Sequence, residues 1–220
     1  LYLLKEAVKD QPAAMGFLNT ADTELRRVSQ ITKQTLSFHR DSIQPVRVSI
    51  TEIINSALAL YGQHLRDKGM TIEKRFEGEG FVDAFPGQLR QVFSNFIGNG
   101  LEASLPEGRF IIRVYDSHCW HQNNVPGVRV VFCDAGQGIS AQDMGHIFEA
   151  FFTTKGQRGS GLGLWLSMGI INAHGGRIRV RSRTHPPSGT CFSLFFPRSV
   201  VAKGELSLAP SPAPTPIDRC

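Results

Sequence analysis

Two asparagines, Asn95 and Asn99, have a type and a spacing that could serve chemistry. Residues four positions apart share one face of an α-helix, and a neutral amide oxygen is a suitable ligand for a hard cation such as Mg²⁺. An isolated pair of this kind more often bonds only to nearby backbone groups. The pair is therefore a candidate cation site whose assignment depends on the rest of the chain.

A carboxylate, Asp134, stands at the end of an apolar strand pattern, with Gly136 and Gly138 close behind it. Glycine lets the backbone turn tightly and approach a ligand. A buried carboxylate at such a place requires a hydrogen-bond donor, and the exocyclic amine of a nucleobase is one. Ordinary strand-to-loop turns have a similar composition, so this motif alone is weak evidence for a base-binding site.

A second glycine-rich segment, Gly159–Gly163, precedes a predicted helix. Unpaired N–H groups at a helix N-terminus favour an anion such as phosphate. The segment lacks the Gly-Lys-Ser/Thr of a P-loop. The crowded residues Phe148, Phe151 and Phe152 lie upstream, where core packing is expected for at least one of them. Lys155 could contact a phosphate as a point charge.

The element that must hold the two asparagines is a helix predicted over residues 86–103. A step of about 100° per residue separates an apolar face from a polar one centred on Asn95. The polar face carries Gln88, Gln91, Asn99 and Glu102, and the opposite face carries Leu89, Phe93, Phe96, Ile97 and Leu101. One face should therefore join the core and the other should present amides and a carboxylate.

The remaining pattern alternates between helices and strands. Periods near 3.6 predict helices, and alternating apolar residues predict strands. We expect helices over 1–9, 17–41, 51–67 and 162–174, and strands over 46–50, 70–76, 109–116, 127–133, 177–183 and 190–196.

Composition excludes some classes and leaves others open. The net charge is +5 and the basic residues are spread along the sequence, which favours an ordinary solvated surface over nucleic-acid binding. No apolar run is long enough to cross a bilayer. The four cysteines, which fit no zinc framework, are expected to be reduced thiols in the cytoplasm. They are Cys119, Cys133, Cys191 and Cys220.

Taken together and in this order, the motifs resemble the asparagine, first glycine, phenylalanine and second glycine boxes of bacterial sensor histidine kinases. The segments are Asn95–Asn99, Asp134–Gly138, Phe148–Lys155 and Gly159–Leu164, and the resemblance extends over about residues 18–198. It implies an α+β fold, a two-layer sandwich of a mixed sheet with helices on one face. We expect a partial dimerisation hairpin over 1–44, a catalytic ATP-binding domain over 45–200 and a Pro-rich tail over 201–220.

The resemblance also implies roles for single residues, with ATP and Mg²⁺ as cofactors. Asn99 would be the metal ligand, Asn95 would support the phosphates, and Asp134 would bind the adenine amino group. Asn95 and Lys155 are the expected catalytic residues. Further nucleotide contacts are expected from Gly136, Gly138, Phe148, Phe152, Thr154, Lys155, Gly159, Gly161, Leu162, Gly163 and Thr190.

The phosphoacceptor is where the chain departs from the family pattern. The expected His-Glu motif is absent and no histidine precedes His39, which is followed by Arg40. We therefore expect a fragment whose acceptor histidine lies on a missing segment or on another chain. The implied partners are a response-regulator receiver domain and a second copy bound through the hairpin, without nucleic-acid or membrane contact.

Two alternatives remain open at this point. One is a hydrolytic ATPase of the same fold, with Glu102 as the nearest water-activating carboxylate. Hydrolytic members carry a glutamate where this chain has Asn95, so the amide favours phosphotransfer. The other is a nucleotide-binding interaction module that has lost phosphotransfer.

Overall fold

A computed structural model describes residues 4, 6, 8, 11–22, 44–78, 80–119, 124–156 and 159–199. Its helices are α1 (12–22 in the described part), α2 (Ile50–Ala59), α3 (Gly62–Asp67), α4 (Pro86–Ala103) and α5 (Gly163–Ala173). Its strands are β1 (Val46–Ser49), β2 (Thr71–Phe76), β3 (Phe81–Ala84), β4 (Arg109–Cys119), β5 (Val125–Asp134), β6 (Arg177–Arg183) and β7 (Gly189–Pro197). Among the described residues, no helix is long and apolar enough to cross a membrane.

The strands form a five-stranded mixed sheet in the order β2-β4-β5-β7-β6 and a two-stranded pair, β1-β3. Strand β2 runs parallel to β4, whereas the other pairs are antiparallel. Alternation places Phe110, Ile112 and Val114 of β4 in the core together with the matching positions of β5 and β7. Helices α2, α4 and α5 cover this apolar side. The predicted two-layer fold with a mixed sheet is confirmed.

Helix α4 is the central element, and its observed bounds are the predicted ones. Pro86 occupies the first turn, where its missing N–H costs no hydrogen bond. The buried residues follow the predicted apolar face: Leu89, Val92, Phe93, Phe96, Ile97, Gly100 and Leu101. Phe96 stacks on Phe132 of β5 with ring centroids 5.8 Å apart. This packing fixes the rotation of the helix and therefore the direction of its polar face.

Some predicted elements were wrong. The single helix expected over 51–67 is two helices, interrupted at Leu60 and Tyr61, where Gly62 follows as a poor helix former. Strand β3 was not predicted. The helix expected from residue 17 already begins at Pro12, since proline is well accommodated in a first helical turn. The rest of the predicted hairpin, 23–43, lies outside the described residues.

The expectation of reduced thiols was wrong for two cysteines. Cys133 and Cys191 lie opposite each other on β5 and β7 and form a disulfide. Their sequence separation of 58 residues hid this proximity, because only strand pairing brings them together. Cys119 is free and buried, and Cys220 lies outside the described residues.

Candidate functional site

The polar face of α4 contacts the segments that carry the other motifs, and Asn95 makes the first contact. Its Nδ2 donates to the carbonyl oxygen of Gly163, 3.1 Å away, and to Oγ of Ser167, 3.0 Å away. Both acceptors belong to α5, so Asn95 joins the two helices where α5 begins. The amide is thus positioned by two hydrogen bonds, and the second glycine box ends directly beside it.

One turn further along α4, Asn99 and Glu102 meet Lys155. The Lys155 Nζ donates to Oδ1 of Asn99 at 3.1 Å and to Oε2 of Glu102 at 2.5 Å. The Lys155 and Glu102 side chains are partly exposed, so water screens the ion pair and its contribution to stability is small. These three side chains place two oxygen acceptors and one cation at an open face.

Asp134 lies where β5 ends, and two backbone groups hold its carboxylate. Gly136 N–H donates to Oδ1 at 2.9 Å and Thr190 N–H donates to the same oxygen at 3.2 Å. Burial raises the pKa of the Asp134 carboxyl, and these backbone hydrogen bonds offset part of the rise. Because both bonds end on Oδ1, Oδ2 is the oxygen left to receive a ligand.

The two glycines after Asp134 are required by close backbone contacts. A Cβ at Gly136 would lie 2.4 Å from the carbonyl oxygen of Ala103, the last residue of α4. Gly138 has φ +79, and a Cβ there would lie 2.2 Å from the carbonyl oxygen of Arg183. The first glycine box therefore packs between the end of α4 and the end of β6, and the contacts at Gly136 and Gly138 leave no room for a Cβ atom.

The phenylalanine and second glycine boxes are joined at their base. Phe151 N–H donates to the carbonyl oxygen of Gly161 at 3.0 Å. Both residues have left-handed backbones, with φ 68 and φ 66. A Cβ at Gly161 would lie 2.3 Å from the carbonyl carbon of Phe151. Together they close a loop over residues 152–160; this contact is called the loop clasp.

The other predicted site residues lie around these contacts. Phe148 and Phe152 are partly buried against the core, as expected for at least one phenylalanine, whereas Phe151 is exposed. Thr154 is exposed and Leu162 is buried. The backbone of Gly159 packs against Thr153, whose Oγ1 would lie 2.2 Å from an added Cβ. His39 lies outside the described residues.

Sequence reasoning missed Tyr61, which reaches the site from the segment between α2 and α3. Its hydroxyl donates to the carbonyl oxygen of Ser94 at 2.9 Å and lies 2.9 Å from where a Cβ of Gly98 would be. Burial raises the pKa of Tyr61, and the nearby Glu102 charge adds to the rise. No local pattern signals this contact, since 33 residues separate the bonded pair.

His174 was also not singled out, although it is 2% exposed. Its Nδ1 donates to the carbonyl oxygen of Ile170 at 2.8 Å, and its Nε2 accepts from the Phe85 N–H at 3.2 Å. The second bond requires the neutral ring, because a protonated Nε2 could not accept from the Phe85 N–H. Burial lowers the pKa of His174 more than the Ile170 bond raises it. The His174 side chain links the end of α5 to the start of α4 and so fixes the two helices relative to each other.

One known family model matches the part of the chain that carries these contacts. The model described as "Histidine kinase-, DNA gyrase B-, and HSP90-like ATPase" matches residues 85–200, more than half of the chain. The chain belongs to this family of ATPases.

Individual relatives narrow the similarity to kinases. Sporulation kinase A of Bacillus subtilis (strain 168) is 33% identical over 181 residues, which are 80% of this chain and 28% of the relative. Sensor histidine kinase ZraS of Escherichia coli (strain K12) is 28% identical over 184 residues, covering 82% and 37%. The chain thus spans well under half the length of these relatives. The solved catalytic domain of histidine kinase ThkA superposes with a TM-score of 0.62 at 27% identity, covering 71% of this chain and 97% of that one.

Proposed function

We propose that the chain is the ATP-binding catalytic module of a histidine kinase, which holds Mg-ATP and transfers the γ-phosphoryl group to a histidine outside these 220 residues. The observation that carries the proposal is the set of contacts along α4. Asn95 meets Gly163, Asn99 meets Lys155, and Ala103 meets Gly136. One helix face thereby gathers a base-binding carboxylate at one end and a helix N-terminus suited to phosphate at the other.

The proposed roles follow the chemistry of each group. Asp134 Oδ2 accepts from the adenine amine, and Thr190 holds the carboxylate in place. Gly136 and Gly138 form the floor of the base pocket. Asn95 orients the start of α5 through its two hydrogen bonds, which supports the phosphates indirectly.

The part of the proposed site that would bind the phosphates consists of the loop closed by the loop clasp and the first turn of α5. Lys155 supplies a positive charge, and the backbone of Gly161 and Gly163 supplies N–H groups near a favourable helix dipole. Phe148 and Phe152 anchor the loop to the core. The further nucleotide contacts are assigned to Thr154, Gly159 and Leu162.

Magnesium fits this part of the site. Asn99 Oδ1 and the Glu102 carboxylate are hard oxygen donors on the same exposed face, which is the donor type that Mg²⁺ prefers. We assign Asn99 as the protein ligand. When bound, the ion would neutralise negative charge on the phosphates. Phosphotransfer then depends mainly on positioning and charge neutralisation, because a neutral imidazole acceptor is already nucleophilic near neutral pH.

The hydrolytic alternative depends on Glu102, the one carboxylate that α4 presents beside Lys155. A water-activating base must accept a proton, and here the carboxylate is paired with an ammonium at 2.5 Å. At position 95, where hydrolytic members of the family carry a glutamate, this chain has an amide that donates both of its recorded bonds. Both observations favour phosphotransfer.

Labelling with [γ-³²P]ATP separates these functions. A longer form of the protein that includes the acceptor should gain acid-labile, base-stable label, whereas the 220-residue chain should bind nucleotide without labelling itself. Label on the 220-residue chain that disappears in His39→Ala would overturn the placement of the acceptor. Steady phosphate release that is abolished in Glu102→Gln would establish the hydrolytic function. Nucleotide binding without label in either form would leave an interaction module.

Calorimetric titration tests the metal ligand. Asn99→Ala should weaken Mg-ADP binding at least tenfold more than binding of metal-free ADP, because only the metal-dependent part of the affinity requires the amide oxygen. Asn55→Ala is the matched control, since Asn55 Oδ1 also accepts from a lysine, Lys74 at 2.9 Å, but lies away from the site. Equal losses for both ligands would refute the assignment.

The proposed setting follows the kinase class. The phosphoryl group would pass to an aspartate of a response-regulator receiver domain in the cytoplasm. The parent protein would dimerise through the hairpin of residues 1–44. No contact with nucleic acid or membrane is proposed for this chain.

A further inference from the structure

The side of the sheet that faces away from the helices is rich in arginine. Strand residues alternate between faces, so the pattern Arg-x-Arg-x-Arg-x-Arg of β6 places four side chains on this side. The partly buried Ile178 and Val180 lie on the opposite side. Neighbouring strands add four more in register. The eight residues, hereafter the arginine face, are Arg75, Arg109, Arg113, Arg129, Arg177, Arg179, Arg181 and Arg183.

Acidic charge among the described strand positions of this face lies at its β2 edge. Among its described strand positions, Glu73 is the one acidic residue, and it pairs with Arg75 and Arg109 on the β2 side. On the β6 side, Arg177, Arg181 and Arg183 are exposed and form no ion pair with the described part of the chain. Like charges directly opposite each other on paired strands destabilise a sheet, as at Arg75 and Arg113. The three exposed arginines on the β6 side can pair with negative groups of a partner.

The centre of the face is held in place. Arg113 lies over the Tyr115 ring at 5.3 Å and Arg129 over the Phe195 ring at 5.6 Å. Arg129 also donates to Ser117 and Ser193, each at 3.2 Å. The Nε of Arg113 is buried and has no hydrogen-bond partner among the described groups.

We propose that the arginine face binds an acidic protein segment in an extended conformation, with carboxylates at alternate positions along β6. Alternate residues of any strand are spaced by about 6.6 Å, so Arg181 and Arg183 match carboxylates two positions apart in such a segment, and Arg177 matches one four positions beyond Arg181. Guanidinium groups bind carboxylates through two parallel hydrogen bonds.

Single-stranded nucleic acid fits this face less well. Surfaces that bind it offer exposed aromatic rings on which bases stack. Here Phe195 is 1% exposed, and the guanidinium of Arg113 lies over Tyr115. The described face therefore provides charge at strand spacing without stacking surfaces, which is the chemistry of an acidic peptide site.

Fluorescence anisotropy with synthetic peptides tests the proposal. The probe is a labelled dodecapeptide of alternating glutamate and threonine, compared with a peptide of the same composition whose six glutamates are contiguous. The alternating peptide should bind several-fold more tightly. Arg177→Gln/Arg181→Gln should weaken its binding about tenfold, since the change removes two exposed ion pairs.

The matched control is Arg66→Gln/Arg47→Gln, which removes the same charge from α3 and β1 and should leave peptide binding within twofold. Circular dichroism melting verifies that each variant is folded. Equal weakening by both double variants would overturn the proposal, as would equal binding of the two peptides. Tighter binding of a dodecathymidylate or of phosphatidylserine vesicles than of the alternating peptide would also overturn it.

Discussion

Replacement of Gly100 by alanine offers a quantitative test of how α4 packs. A Cβ at Gly100 would lie 2.2 Å from Cε2 and 2.8 Å from Cζ of Phe110. The Phe110 ring cannot withdraw, because it is 1% exposed and stacks against Phe132 at 6.3 Å. The residue that follows Asn99 is therefore glycine for a reason of space, although glycine is otherwise unfavourable inside a helix.

Two opposing terms set the change in the free energy of unfolding. Alanine in place of glycine stabilises a helix interior by about 1 kcal/mol, whereas overpacking a core costs about 1–3 kcal/mol. Gly100→Ala should therefore lower the free energy of unfolding by roughly 1 kcal/mol net. Gly169→Ala is the matched control. Gly169 lies in α5 with no atom within 4 Å of its added Cβ, so the change there should stabilise by about 1 kcal/mol.

A double-mutant cycle isolates the steric term. Phe110→Val removes the ring atoms involved, at a cost of roughly 2–3 kcal/mol for the vacated volume. In that background Gly100→Ala should become stabilising, which gives a coupling of about 2 kcal/mol, within the range for residues in contact. Urea unfolding at pH 7.5, with midpoint and m-value for all four proteins, measures it. A stabilising Gly100→Ala in the wild-type background, or the same effect in both backgrounds, would refute the reasoning.

Three further changes test the site. Asp134→Asn should weaken ADP binding in calorimetry by about tenfold, because charge-assisted hydrogen bonds are roughly twice as strong as neutral ones. The same change should not lower the urea midpoint of the ligand-free protein at pH 7. Burial raises the pKa of the Asp134 carboxyl, so ionisation of this group opposes folding at pH values above its ordinary pKa of 3.8. Asn95→Asp should destabilise by about 1–3 kcal/mol, since a carboxylate oxygen would face the Gly163 carbonyl without a proton between them. Because the pKa of His174 is lowered in the folded state, the free energy of unfolding should fall as the pH drops below 6.5, by at most about 1.4 kcal/mol per pH unit. Urea unfolding at pH 7.5 and 5.5 should show this loss in the wild-type protein and in the surface control His64→Gln. The loss should be smaller in His174→Gln.

The part of the fold that could be predicted is the part encoded by local periodicity. Helix α4 was predicted with its bounds and both faces because 18 consecutive residues repeat one pattern. Strand β6 was predicted over the same residues that the structure shows. Strand β3 was missed because four residues, Phe81–Ala84, give too short a pattern, and its partner β1 lies some 35 positions earlier.

Some residues of the candidate site could be anticipated from the sequence and others could not. The resemblance named Asn99, Lys155, Asp134 and Thr190 as site residues without pairing them. In the structure Lys155 contacts Asn99 and the Thr190 N–H contacts Asp134. Tyr61 was missed because its contact depends on how α2 ends, which no motif records.

The arginine face was missed for a different reason. In sequence the basic residues look dispersed, but pairing of β4, β5, β6 and β7 brings them to one side. The alternating arginines of 177–183 were the available signal, and strand register supplied the rest.

The loop clasp has a consequence for how the chain tolerates change. Phe151 and Gly161 fix both ends of the loop by a backbone hydrogen bond and two left-handed residues, so the ends stay together whatever lies between them. Lengthening a closed loop costs only about 0.6 kcal/mol per doubling. Residues inserted between Gly156 and Gly159 should therefore leave α5 and Asn95 in place, whereas Phe152, Thr154, Lys155 and Gly159 must be kept for the site. This makes that point of the loop a place to insert a reporter sequence by design.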